Sequence, residues 1–274
     1  MNHNALFKVD PTRLVSARRL CHAAVQWPSR AARANLPAAD DDSHSSLEWD
    51  GEHFALVGQP LGGPQSPRLG FAFDALCLVW LEGDAVTDRL PLTGVDDSTV
   101  RAWCDERLAG AGLLGVERAE MPYELDPVDY RDFADKDTAA AARTLGAWYA
   151  AARQAIAATS TARASIAVAP PALRCWPHHF DLAVLFALEG GDPEHARSIG
   201  LGFSPGDGSY AEPYFYCTPW PAPESRPEPP DRMHWHTEGF VSLVAPASAL
   251  DGDVDLAGLL TSAVDTARAT LGAG

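Results

Sequence analysis

Apolar residues recur every three or four positions in four stretches of the chain, which predicts four helices. The first begins after Asp10, a capping residue, and is expected to end at Trp27, because a residue that precedes proline avoids helical backbone angles. The other three cover about 97–108, 138–158 and 256–271.

Shorter apolar runs, separated by glycine and proline, predict strands between these helices. They cover 52–57, 69–73, 75–81, 89–92, 115–121, 165–169, 180–188, 198–203, 214–218 and 240–244. Strands that follow one another without a helix form hairpins and antiparallel sheet. The pattern therefore predicts an α+β fold with one or more largely antiparallel sheets and about four helices. Its order also allows two pseudo-repeated halves, each with strands followed by a helix.

Residues 1–274 are predicted to form a single globular unit. An alternative subdivision places residues 1–125 and 138–274 in separate parts, joined by an irregular acidic connection at 126–137. Both interpretations stay open from the sequence.

The overall charge is −16, with 21 basic and 37 acidic residues. An acidic surface repels phosphate backbones, which argues against nucleic-acid binding.

No apolar run is long enough to predict a membrane span, and the first residues lack the pattern of a secretion signal. The five cysteines include no CxxC pair, as expected of reduced, buried thiols. We therefore expect a cytoplasmic protein.

The segment from Arg174 to Trp220 offers the strongest candidate chemistry. Asp181 opens the most apolar predicted strand, and His179, two positions earlier, would share a face with it in an extended chain. This pair suits proton transfer or metal binding. The alternative is a structural hydrogen bond that closes the end of a strand.

Aromatic residues are concentrated downstream, between Phe203 and Phe240. Rings with polar ends suit a small-molecule pocket, although they also suit an aromatic core beneath the proline-rich loop at 219–230. His234, His236 and Glu238 alternate, which would place them on one face of a strand and within reach of one metal ion. The sequence favours a solvent-exposed loop for these three.

Three segments resemble a bacterial family that is defined only as a domain of unknown function: DDSHSSL at 41–47, WPHHFDLA at 176–183 and SPGDGSYAEPY at 204–214. The order of elements is similar from Leu20 onward. The resemblance implies no activity, substrate or cofactor. It places five residues on the signature segments of the family: His44, His179, Asp181, Asp207 and Glu212.

We hypothesise that these distant segments converge on one pocket. The predicted catalytic residues are His179, Asp181 and Glu212. The predicted ligand-binding residues are His44, Trp176, Asp207, Tyr214 and Tyr216. A divalent metal, if bound, would be held by His44, His179 and Glu212.

Three classes of function follow from this hypothesis. The first is a small-molecule-binding protein with an aromatic pocket and a His/Asp/Glu polar end, whose ligand is neutral or cationic, such as a sugar or an amine. The second is a hydrolase-type enzyme that uses His179 with Asp181 or Glu212, with or without a divalent metal. The third is a non-catalytic interaction or assembly protein, including a homo-oligomer, with an aromatic partner surface.

Overall fold

A computed structural model describes residue 6 and residues 13–191, 195–250 and 254–272 of the chain. Within these residues the α-helices are α1 (Leu14–Ala24), α2 (Gln26–Asn35), α3 (Asp97–Gly110), α4 (Lys136–Ala162) and α5 (Leu256–Thr270). Because α1 and α2 follow one another across Val25, the helices occupy the four predicted regions.

The first helical region does not end at Trp27, as the sequence had suggested. Pro28 is the third residue of α2, which continues to Asn35. The amides of the first turn of a helix have no partner within that helix, so a proline there removes no helical hydrogen bond.

Eleven strands lie in the described residues, and all of their described pairings are antiparallel. This arrangement confirms the α+β prediction. The strands are β1 (Leu47–Asp50), β2 (Ala55–Gly58), β3 (Arg68–Ala72), β4 (Cys77–Glu82), β5 (Ala85–Pro91), β6 (Arg174–Trp176), β7 (Asp181–Ala187), β8 (Ser198–Ser204), β9 (Tyr214–Trp220), β10 (His234–His236) and β11 (Ser242–Pro246).

Two strand predictions were wrong, and a third strand begins later than predicted. The run at 115–121 contains a short 3-10 turn at Val116–Arg118, and the run at 165–169 overlaps one at Ala164–Ile166. The run at 52–57 begins in a turn, because the Asp50 carboxylate accepts hydrogen bonds from the amides of Glu52 and His53 and reverses the chain before β2.

The chain divides into two compact units. The N-unit contains Arg13–Ala147 and Cys175–Phe180, and the C-unit contains Trp148–Arg174 and the chain from Asp181. The N-unit strands follow the order β6, β1, β2, β3, β4, β5, and the C-unit strands the order β10, β11, β9, β8, β7. The acidic segment at 126–137 lies within the N-unit.

Each unit has a core of its own. In the N-unit, alternate residues of β2, β3 and β4 form one buried cluster, which includes Val57 and Val79. In the C-unit, Trp148 stacks on Phe203, with ring centroids 5.8 Å apart, and α5 packs against β8 and β9. No helix in the described ranges has the length and apolar character that a membrane crossing requires.

Candidate functional site

The eight predicted site residues are divided between the two units. His44, Trp176 and His179 belong to the N-unit. The other five belong to the C-unit, namely Asp181, Asp207, Glu212, Tyr214 and Tyr216.

His179 does not lie in an extended segment, so the shared face expected for His179 and Asp181 was wrong. The chain turns after Trp176, whose carbonyl accepts hydrogen bonds from the amides of His179 and Phe180, and Phe180 has a positive φ of 56°. The His179 side chain is exposed, with its ring centroid 4.3 Å from that of His178. The local turn overrides the strand geometry assumed from the sequence.

The predicted metal set of His44, His179 and Glu212 was also wrong. Among the residues that the structure describes, no group of three or more His, Cys, Asp or Glu side chains is arranged to hold a metal ion. The Nδ1 atom of His44 accepts a hydrogen bond from the Ala39 amide at 3.2 Å. The Glu212 carboxylate accepts two from Ser248, at 2.6 and 2.8 Å. The His44 side chain therefore holds local backbone, and the Glu212 side chain holds Ser248, 36 positions away.

Two tyrosine–carboxylate pairs link four of the predicted residues in the C-unit. The Tyr214 hydroxyl donates to Asp207 at 2.6 Å, and the Tyr216 hydroxyl donates to Asp181. Asp181 is only 8% exposed, so its charge depends on such donors. Burial, followed by the bond to Asp207, raises the pKa of the Tyr214 phenol. The Tyr214 phenol therefore remains a protonated donor near neutral pH.

The Tyr216 ring lies over Gly202, its neighbour across β8 and β9. A Cβ atom at Gly202 would overlap the end of this ring, whereas at Gly200 the nearest atom would be 4.0 Å away. We expect Gly202→Ala to displace Tyr216 from Asp181 and lower the free energy of unfolding by about 1–2 kcal/mol. Gly200→Ala is the control, with no loss expected. Equal urea midpoints for the two variants would contradict this account.

A second C-unit network contains residues that the site prediction did not include. The Tyr210 hydroxyl lies 2.8 Å from Nε2 of His234 and 3.0 Å from Nδ1 of His236. The other ring nitrogen of His236 lies 2.7 Å from the Glu238 carbonyl, which can only accept a hydrogen bond. In the neutral ring Nδ1 is therefore an acceptor, so Tyr210 donates to His236 and receives a hydrogen bond from His234.

The alternation of His234 and His236 was the sequence signal for this network, but the pair lies on strand β10 and not in a loop. Tyr210 had been assigned only to an aromatic-rich region. The turn at Asp207, whose carboxylate accepts from the amides of Ser209 and Tyr210, carries the phenol toward β10.

The N-unit contains a cleft of about 460 Å³, a volume within the range of small-molecule sites. The segment from Ala119 to Val128 supplies one wall, which combines apolar side chains with Tyr123, Glu124 and Asp126, and α2 supplies further polar groups. The lining comprises Ala23, Gln26, Trp27, Arg30, Asp97, Ala119, Met121, Tyr123, Glu124, Leu125, Asp126, Pro127, Val128 and Tyr130.

The base of the cleft is held by a buried indole–phenol pair. Trp27 Nε1 donates to the Tyr130 hydroxyl at 3.0 Å, and Tyr130 is only 1% exposed. The guanidinium groups of Arg30 and Arg101 lie 5.7 and 5.8 Å from the centre of the Trp27 ring, within cation–π range. These contacts fix Arg30 beside Tyr130 in the lining.

Gln26 is a second buried polar residue in the cleft lining. It is 6% exposed, and its Nε2 atom donates to the carbonyls of His22 and Pro177, at 3.0 and 2.9 Å. Its Oε1 atom accepts from the Tyr123 hydroxyl at 2.7 Å. With all of these groups satisfied, Gln26 shapes the wall and Tyr130 and Arg30 remain as donors.

The sequence prediction did not find this cleft. Residues 122–137 were interpreted only as an irregular acidic connection, although Tyr123 and Tyr130 lie within them. Aromatic side chains in an otherwise polar connection were the available signal, because such rings are usually buried against something.

Comparison with family models gave no match to the chain, and neither the curated proteins nor the solved structures included a match. The resemblance to a domain of unknown function therefore stays a prediction.

Proposed function

We propose that the protein binds a small polar organic molecule in the N-unit cleft. The observation that carries this proposal is the Tyr130 hydroxyl. It accepts a hydrogen bond from Trp27, but its own proton has no acceptor among the described residues. A buried donor without an acceptor costs free energy, about 1–3 kcal/mol. An acceptor atom of a bound ligand would remove that cost.

The neighbouring charges define the class of ligand. Arg30 lines the cleft and has no ion-pair partner among the described residues, so it offers donors to a carboxylate or similar group. Asp97 and Glu124 lie in the same lining and are exposed. Opposite charges within one small cleft favour a zwitterionic or weakly charged ligand, and they disfavour a polyanion such as a nucleotide.

The apolar wall limits the size and shape of this ligand. The cleft lining includes six apolar residues, namely Ala23, Ala119, Met121, Leu125, Pro127 and Val128. A molecule with an acceptor group at one end and a short apolar body satisfies both the donors and this wall. An amino acid or a small amino-acid derivative has this chemistry.

A thermal-shift experiment with a blocked cleft tests the proposal. A panel of amino acids, matched carboxylates and matched amines is added to the full chain, and a bound member raises the melting temperature. Ala119→Trp fills the cleft from a partly exposed wall position and is expected to abolish the shift. Ala109→Trp, at an exposed position on α3 outside the lining, serves as the control and should retain it.

Three outcomes bear on the proposal. A shift with wild type and Ala109→Trp, but not with Ala119→Trp, supports it. A shift with all three proteins moves the ligand site elsewhere and overturns it. No shift with any member of the panel also overturns it for this class of ligand.

A further inference from the structure

We propose that Tyr210, His234 and His236 of the C-unit form a binding site for a divalent transition metal such as Zn²⁺, Ni²⁺ or Cu²⁺. This site is separate from the N-unit cleft and does not depend on the function proposed for it. The positions of three side-chain atoms and the second hydrogen bond of His236 support this assignment.

Three ligand atoms converge at one point of the C-unit. Nε2 of His234 and Nδ1 of His236 both face the Tyr210 oxygen, at 2.8 and 3.0 Å. Zinc binds imidazole nitrogen at about 2.0–2.1 Å, which places two tetrahedral ligands about 3.4 Å apart. To share a metal ion with the two nitrogens, the Tyr210 oxygen therefore has to move away from each of them by only about half an ångström.

The orientation of His236 is that of a metal ligand. Imidazoles that bind metal usually donate their other ring N–H to a carboxylate or a backbone carbonyl. His236 does so through its contact with the Glu238 carbonyl at 2.7 Å, which leaves the lone pair of Nδ1 directed at Tyr210. The hydrogen bond fixes both the tautomer and the ring before any metal arrives.

Strand geometry explains why the two histidines act together. Residues two apart on a strand share a face, and β10 pairs through His234 with Val244 and through His236 with Ser242. His234 is exposed and His236 and Tyr210 are partly exposed, so an ion can reach them and waters can complete its coordination. The Phe240 ring lies against His236, with centroids 4.2 Å apart and the two planes tilted by 31°.

The types of coordinating atom determine which metal ions the site prefers. Imidazole nitrogen suits Zn²⁺, Ni²⁺ and Cu²⁺, whereas Mg²⁺ and Ca²⁺ prefer oxygen ligands. Binding replaces the shared phenol proton of Tyr210, which leaves to solvent as the oxygen coordinates the metal. The proton on His234 moves to its other ring nitrogen, so one proton is released for each ion bound.

Isothermal titration calorimetry of the full chain with ZnCl₂, in two buffers of different ionisation enthalpy, measures both affinity and proton release. We expect one site and about one proton released. His234→Ala and His236→Ala should each weaken binding by at least about tenfold. Tyr210→Phe should remove the proton release and, with Cu²⁺, the tyrosinate-to-copper charge-transfer band.

Matched controls distinguish this site from adventitious binding. MgCl₂ should give no heat of binding. His53→Gln, which removes an imidazole of the N-unit that is bonded to Asp50, should bind Zn²⁺ like the wild type. Each variant is checked for an unchanged melting temperature without metal. Failure of the wild type to bind Zn²⁺, Ni²⁺ and Cu²⁺, or undiminished binding by both β10 variants, overturns the proposal.

Discussion

Gly146→Val is expected to lower the free energy of unfolding by about 3 kcal/mol, whereas Gly110→Val should change it by less than about 0.5 kcal/mol. Both glycines lie in α-helices, at 146 in α4 and at 110 at the end of α3. A Cβ atom at Gly146 would lie 2.6 Å from Cε1 of Phe54 and 2.6 Å from Cβ of Phe73. At Gly110 no atom lies within 4 Å.

The difference between these two variants isolates the effect of packing. A glycine inside a helix costs about 1 kcal/mol relative to alanine, and valine recovers part of that at either position. Only at Gly146 does the added bulk meet two phenylalanine side chains, and the contact with the buried Phe73 is at its Cβ atom, which cannot rotate away. Urea denaturation of both variants measures the effect. Similar midpoints would show that the helix and the two phenylalanines do not pack as described.

The free energy of unfolding is also expected to be about 2 kcal/mol lower at pH 5 than at pH 7, because of the protonation of His22 alone. Burial lowers the pKa of His22 from 6.5 to about 4, and the positive charge of Arg18 acts in the same direction. The neutral ring stacks on Phe180 at 5.1 Å and lies 2.7 Å from the Pro177 carbonyl. Because this carbonyl can only accept, the neutral ring donates to it through Nε2.

The direction of this pH effect follows from the pKa values of His22 in the unfolded and the folded chain. In the unfolded chain His22 binds a proton near pH 6.5, but in the folded protein it does so only near pH 4. Its contribution to stability is therefore present above pH 6.5 and is lost as the pH falls from 6.5 to 4. Urea unfolding at several pH values, for wild type and His22→Gln, measures the contribution. Parallel pH profiles for the two proteins would contradict the assignment.

Local pattern was enough to predict much of the fold. Helices α3, α4 and α5 and strands β7, β8 and β9 all lie where the sequence predicted them. Neighbouring residues alone show whether one face of a helix, or a whole strand, is apolar, so these elements can be predicted without knowing what they pack against. The tyrosine–carboxylate pairs of the C-unit were partly anticipated for the same reason, since Asp181, Tyr214 and Tyr216 stand out beside apolar strands.

Where the prediction failed, an interaction outside the local pattern decided the structure. Pro28 looked like the end of a helix, but the chain restarts at Val25 and places this proline in a first turn, where it is tolerated. His179 looked extended, but two hydrogen bonds to the Trp176 carbonyl form a turn there. A run of side-chain types does not specify which backbone amides find acceptors.

The sequence by itself determined the fold class and most of the regular elements. Only the tertiary structure decided which ionisable and aromatic groups meet. Trp27 and Tyr130 are 103 positions apart, and Tyr210 and His234 are 24 apart, yet each pair shares a hydrogen bond. Such contacts depend on strand register and on the course of loops, which are set by the packing of the whole unit. No periodic pattern of residues along the chain predicts them.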